Sequence, residues 1–228
     1  MNNIAFIPAR GGSKSIPRKN LVPLLNKPLI QYTIDSALQA SCIDRIVVSS
    51  DNHEILHFSQ SLSVEILNRP AELAEDDTPT FHAILHAIEA LELHELKDTN
   101  LILLQPTSPL RTASHIDQAY KLFESSNATQ LISVFEPKHS PLKSFLIDND
   151  GYLHGITDDE TPFKPRQQLP KTYYPNGAIS IIKLDSIIRT EKLSLERCIP
   201  FIMSADLSID IDSYSDLNDA EEILRSYK

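Results

Sequence analysis

Short β-rich runs alternate with longer amphipathic runs through the first 135 residues, and this rhythm restricts the fold more than any other feature. Ile4 to Ala9 reads as a buried strand and Ile43 to Ser49 as a second, with Val64–Leu67, Leu101–Leu104 and Gln130–Phe135 completing five. Helical patterns fill the gaps at about 29–40, 52–60, 79–96 and 112–125. In the third, Phe81, Leu85, Ile88 and Leu91 or Leu96 keep helical spacing. Strand, helix, strand in succession predicts right-handed crossovers, and so an α/β fold whose sheet is mostly parallel with helices on both faces.

The rhythm stops after Phe135. Residues 136–172 hold five prolines together with Gly151 and Gly155. Asp-Gly suits the positive φ of a tight turn, which predicts a hairpin around Asn149-Asp150-Gly151. Phe145, Leu146, Ile147, Tyr152 and Leu153 make that hairpin apolar. An apolar hairpin leaving a compact body packs on something, and a second subunit is the economical occupant. Strand patterns return at Gly177–Ile182, Phe201–Met203 and Leu207–Ile211, then a helix near 213–227 capped by Asp212 or Ser213. One domain over 1–228, with an excursion at about 137–172, accommodates the whole pattern.

The net charge of −10 argues against nucleic-acid and membrane-surface partners, because both need a cationic face. An anionic ligand must instead meet a local cluster of Lys and Arg. No apolar run reaches the length of a membrane span, and the N-terminus lacks a signal pattern. Cys42 and Cys198 are too far apart in sequence for a disulfide framework or a zinc spacing, so the expected location is the cytoplasm.

That cationic cluster is the loop Pro8 to Asn20, directly after the first strand. Arg10, Lys14, Arg18, Lys19 and Lys27 fall in the first 34 residues, which contain no acid. Gly11 and Gly12 let backbone N–H groups approach phosphate, and the cations balance its charge. The loop is neither a P-loop nor a dinucleotide fingerprint. A solvated basic loop is its bland alternative. Asp210 and Asp212, with Asp206 nearby, form a second cluster; strand alternation would put both on one face, where paired carboxylates suit Mg2+. An acidic edge with a helix cap is the competing reading.

Gln105, Thr107 and Ser108 in Leu104–Thr112 can present hydrogen-bonding groups beyond a strand end, or can simply turn the chain and cap the next helix. Arg166 can clamp a carboxylate and Asn176 can bond a sugar hydroxyl, although both sit in proline-rich turns. His53-Glu54-Ile55-Leu56-His57 matches the HExxH zinc-hydrolase pattern. It starts at an expected surface helix end with no clear third ligand, so zinc hydrolysis is the distant alternative.

Taken together and in order, IPARGGSKSIPRKN, RPAELA, LLQPTSPLRT, PLK at 141–143, RQQLP, PNGAI and SIDID resemble the bacterial CMP-sialic acid synthetases, the acylneuraminate cytidylyltransferases. The resemblance runs nearly end to end. It implies a Rossmann-like nucleotidyltransferase fold and a homodimer built through residues 137–172. It also implies transfer of CMP from CTP to the anomeric hydroxyl of a nine-carbon 2-keto acid sugar. On this resemblance Arg10, Gly12, Ser13, Lys14, Lys19 and Asn20 would hold the CTP phosphates and cytidine end, with further nucleotide contacts from Arg69 and Thr80. Gln105, Thr107 and Asn176 would touch sugar or nucleotide, and Lys143 of the partner subunit and Arg166 would meet the sugar carboxylate. Asp210 and Asp212 would hold Mg2+, with Arg10, Lys14, Lys19 and Asp210 carrying the catalysis.

Three positions depart from the family pattern: Ser15 replaces a frequent Gly, Ser180 a usual Tyr, and Tyr173-Tyr174 stand where some members are basic. The later two are expected near the sugar pocket, which keeps legionaminate, another nonulosonate or 3-deoxy-octulosonate open as acceptors.

Overall fold

The computed structural model describes residues 2–96 and 98–227. Its strands in chain order are β1 (Asn2–Pro8), β2 (Pro23–Leu24), β3 (Lys27–Pro28), β4 (Arg45–Ser50), β5 (Glu65–Asn68), β6 (Thr99–Leu103), β7 (Gln130–Phe135), β8 (Phe145–Ile147), β9 (Leu153–Gly155), β10 (Tyr174–Lys183) and β11 (Cys198–Ile202). The α-helices are α1 (Leu29–Gln39), α2 (His53–Ser61), α3 (Thr80–Ala90), α4 (Ala113–Glu124), α5 (Leu184–Thr190) and α6 (Tyr214–Ser226). Seven strands form one sheet in the order β11-β7-β10-β6-β1-β4-β5. All neighbours run parallel except β10, which lies antiparallel between β6 and β7. The result is a mixed sheet, parallel at every junction but those of β10.

The period of two along a strand divides the core into two layers. Ala5 and Ile7 of β1 face one way, with Ile30 and Ile34 of α1, Ile55 of α2 and Ile116 and Phe123 of α4. Ile4 and Phe6 face the other way, with Ile84 and Ile88 of α3 and Leu184 and Ile187 of α5. Each such aliphatic or aromatic side chain removed from water contributes roughly 1.5–3 kcal/mol. β6 is central and covered on both faces, so all five of its residues are buried. A third small cluster joins α6 to the loop after β1 through Ile16, Leu24, Leu29, Ile211 and Leu217.

Two elements differ from the sequence expectation, and helix α5 and the short β2–β3 pair were not foreseen. The helix expected over 79–96 stops at Ala90, because Glu92 turns left-handed at φ 51° and a separate 3-10 turn follows. The strand expected at Leu207–Ile211 is absent: a 3-10 turn spans Ala205–Leu207 and the chain then runs on without a ladder partner. The alternation survives without the strand, since Ile211 is fully buried in the third cluster. Asp210 and Asp212 therefore still share a side. Helix α5 (LDSIIRT) is short and buries only Leu184 and Ile187, too little for a periodic signal.

Between β7 and β10 the chain leaves the sheet. β8 and β9 pair antiparallel as a hairpin, with Gly151 at φ 87° in its turn. Leu146, Ile147, Tyr152, Leu153 and Phe163 are all at least 60% exposed.

Candidate active site

The carboxyl ends of β1, β5 and β6 open on a cleft of about 290 Å³, where open α/β sheets collect ligands. The loop after β1 supplies Arg10, Gly12, Ser13, Lys19 and Asn20, and the segment from β5 to α3 supplies Arg69 and Thr80. Gln105 and Thr107 come from the loop after β6, and Asp210 and Asp212 from the stretch before α6. The structure thus brings together most of the residues singled out in the sequence.

Four of them lie outside the walls. Lys14 stands at the rim, its Nζ 2.7 Å from Asp76 Oδ2. Lys143 is exposed on the turn before β8, and Arg166 is exposed with Nη2 3.6 Å from Glu136 Oε1. Asn176 is 2% exposed and its carboxamide is committed to the protein. Its Oδ1 accepts from Ser133 Oγ (2.6 Å) and its Nδ2 donates to Ser208 Oγ (2.9 Å), tying β7 and β10 to the segment before Asp210. Ser180 pairs within the sheet opposite Leu103 and Ile132, and Tyr174 stacks on Phe135 at 6.2 Å, so neither lines the cleft.

The basic loop is held by backbone and by fit. Ala9 N–H donates to Ser49 O and Gly11 N–H to Asp51 Oδ1, both at 2.9 Å. A Cβ on Gly11 would lie 2.7 Å from Asn52 Cβ. Asn52 cannot easily yield, because its side chain caps α2 by accepting from Glu54 and Ile55 N–H. Asn20 Nδ2 closes the loop on Arg10 O at 2.8 Å, while buried Ile16 pins its far side. Nothing approaches a Cβ built on Gly12, which leaves that backbone open to the cleft.

Charge is distributed unevenly around the cleft. Arg69 is 5% exposed, its Nε and Nη2 have no hydrogen-bond partner, and its nearest acid is Asp51 at 4.0 Å. Burial, only partly offset by Asp51, pulls its pKa down. An unpaired buried donor set costs free energy until a ligand acceptor fills it. Lys19 Nζ lies 2.9 Å from Asp212 Oδ1. The Asp210 carboxyl is open on one side and crowded on the other; crowding and the nearby Asp212 push it up, against the Thr107 hydroxyl beside it and Lys19.

Behind the loop after β6 sits Arg111, 2% exposed and with no ion pair among the described residues. Its Nη1 donates to Gln105 O (3.2 Å) and Ala178 O (2.9 Å), and its Nη2 to Thr33 Oγ1 (2.5 Å). Burial lowers its pKa to about 9. The Gln105 carboxamide rests on Gly177, where a Cβ would stand 3.3 Å from Gln105 Cδ and Oε1 and where φ is 68°. Only glycine meets both conditions comfortably.

Sequence reasoning gave no cleft role to the rim residues Leu73, Glu75, Asp76 and Thr78, nor a supporting role to Asp51 and Arg111; Glu75 entered it only as a conceivable zinc ligand. The acidic run Glu75-Asp76-Asp77, just after Arg69, was the available signal. The HExxH residues do not form a metal centre. His53, Glu54 and His57 are exposed on α2, Glu54 pairs with Arg18, and no three His, Cys, Asp or Glu converge among the described residues.

Comparison with known proteins agrees with this geometry. An N-acylneuraminate cytidylyltransferase of Escherichia coli is 32% identical over 93% of this chain, and the chain spans 50% of that relative's length. A pseudaminic acid cytidylyltransferase of Campylobacter jejuni is 31% identical over 97% of this chain and 95% of its own length. The solved structure of a CMP:2-keto-3-deoxy-manno-octonic acid synthetase complexed with CTP superposes over 100% of both chains with a TM-score of 0.71 at 15% identity, a likeness of fold. No helix among the described residues is long and apolar enough to cross a membrane. The pattern that defines the cytidylyltransferases matches residues 4–176, and the chain belongs to that family.

Proposed function

We propose that this chain transfers CMP from CTP to the anomeric hydroxyl of an acidic nine-carbon 2-keto sugar of the sialic acid type, releasing pyrophosphate. One observation carries the reading: a chain of net charge −10 gathers Arg10, Lys14, Lys19 and Arg69 around a single cleft, facing the paired carboxylates Asp210 and Asp212. That arrangement suits a polyphosphate accompanied by a divalent cation.

In the reaction the sugar oxygen bonds to the α-phosphorus while the bond to the bridging oxygen breaks, so negative charge grows on departing pyrophosphate. Lys14 and Lys19 stabilise that charge from the basic loop, and Arg10 and the open backbone at Gly12 hold the phosphates in line. The unpartnered Arg69 N–H groups offer donors to the nucleotide. The cleft carboxylates are the side chains placed to take the hydroxyl proton. Asp210 and Asp212 would hold Mg2+, because two carboxylates suit a cation that keeps phosphate oxygens and water, and their mutual repulsion is relieved by positive charge. When bound, Mg2+ would supply the charge neutralisation that lets two anions meet.

The apolar hairpin fits a homodimer, in which Lys143 of the partner subunit and Arg166 meet the sugar carboxylate. Leu146→Asp, placing a charge on the exposed β8, is expected to convert dimers to monomers in sedimentation. A monomeric wild-type chain would end that part of the reading.

The test of the reaction is pyrophosphate release with CTP and Mg2+ across N-acetylneuraminate, a legionaminate, a pseudaminate and 3-deoxy-octulosonate. Release with a nine-carbon acid is expected and names the acceptor. Release with 3-deoxy-octulosonate alone would move the chain to the eight-carbon branch. Silence with every sugar despite CTP binding would sink the enzymatic reading.

A further inference from the structure

The segment between Arg69 and α3 places an internal anion in the phosphate loop. Glu72, Glu75, Asp76 and Asp77 fall within six residues, and Glu75 and Asp76 reach the cleft wall opposite the basic loop. Asp76 uses both carboxylate oxygens there: Oδ1 accepts from Arg10 Nη1 at 2.6 Å, and Oδ2 lies 2.7 Å from Lys14 Nζ. One carboxylate therefore bridges two cations, as neighbouring oxygens of a polyphosphate would. The Lys14 side chain is 85% exposed, and Asp76 is its ion-pair partner. Both cations hold the Asp76 carboxyl below the ordinary carboxylate range, so it stays charged at neutral pH.

We propose that Asp76 is a resident competitor for the phosphate loop, occupying Arg10 and Lys14 in the free enzyme and giving way to a polyphosphate. The inference rests on reading the cleft as a CTP site and adds how that site is regulated. The bridge has two consequences. It keeps Arg10 and Lys14 positioned before ligand arrives, which saves ordering entropy on binding. It also subtracts its own strength from the affinity of every anion that must displace it, pyrophosphate among them, and so favours product release. The carboxylate has somewhere to go. Residues 75–77 are exposed, and the segment is pinned locally by Thr78, whose N–H donates to Glu75 O and whose Oγ1 donates to Glu72 O, both at 3.2 Å.

Asp76→Asn keeps the shape of the side chain and removes its charge. Calorimetric titration of the wild-type chain and the variant with inorganic pyrophosphate, CTP and cytidine tests the idea. Pyrophosphate and CTP are expected to bind the variant roughly three- to tenfold more tightly, the combined effect of two surface ion pairs. Cytidine, which has no phosphate to compete, is expected to bind both alike, and Asp76→Glu is expected to restore wild-type affinities. Equal or weaker binding of pyrophosphate by Asp76→Asn, with its melting temperature unchanged, would overturn the proposal while leaving the CTP site intact. A wild-type chain that binds neither CTP nor pyrophosphate would instead remove the functional reading on which it rests.

Discussion

Lys19→Met is expected to lower turnover at saturating CTP by about 100- to 1,000-fold, the usual cost of deleting one donor aimed at developing transition-state charge. The Lys19 side chain is only 13% exposed, so its ammonium acts where water screens little. Two effects oppose each other. On the proposed mechanism, losing the cation would remove stabilisation of the departing pyrophosphate, whereas freeing Asp212 from its 2.9 Å contact would make both carboxylates more available to Mg2+. An ion pair with one exposed partner contributes about 0.2–1 kcal/mol, under one decade in binding, so the loss dominates. Pyrophosphate-release kinetics across Mg2+ concentrations separate the two: kcat falls sharply while the Mg2+ midpoint moves down slightly. A variant within threefold of wild-type turnover would place Lys19 outside the chemistry.

Arg111→Met is the second large effect, and it acts on stability. Methionine keeps much of the length of the buried side chain but removes a donor from Gln105 O, Ala178 O and the Thr33 hydroxyl; Gln105 O retains Thr33 Oγ1 at 3.3 Å and Ser108 N–H at 3.4 Å, whereas Ala178 O loses its side-chain donor. A buried acceptor left without its donor, as Ala178 O is, costs about 1–3 kcal/mol, and the two that keep partners lose less. Against this stands a gain, because a guanidinium buried without a counter-charge is itself costly. The relief offsets the lost hydrogen bonds only in part, so a net loss of about 2 kcal/mol is expected. It would be read as a lower urea midpoint at constant m-value. A midpoint unchanged within error would mean that Arg111 is tolerated in the core and does not clamp the loop.

Most of the framework could be read from pattern. The first five strands fell close to their places because β1, β4, β5, β6 and β7 alternate regularly with helices. Sheet order beyond them was not legible, since nothing local in Tyr174–Lys183 says that β10 inserts antiparallel between β6 and β7. Partner choice there is settled by tertiary packing. The 207–211 segment shows a subtler limit. Its apolar alternation is real, but it serves one anchor, Ile211, and not a ladder.

The same distinction governs the site. Arg10, Lys19 and Asp210 were visible because charges of one sign clustered in sequence, the cations beside a strand end and Asp210 beside Asp206 and Asp212. Asn176 was equally polar and equally close to a turn glycine, yet its amide is spent on Ser133 and Ser208. A sequence records that a side chain is polar, not which way it faces. Arg111 escaped notice for the converse reason, because an arginine is expected at the surface and this one is buried.

The contact between Lys19 and Asp212 joins positions 193 residues apart, and Ile211 beside it is seated among Ile16, Leu24 and Leu29. One wall of the cleft therefore exists only while α6 is docked against the loop after β1. Any fraying that lifts α6 loosens Asp210 and Asp212 and takes their carboxylates from the pocket wall. By linkage, whatever fills the pocket must also hold α6 down. Ligand occupancy and the local stability of α6 are then two readings of a single equilibrium.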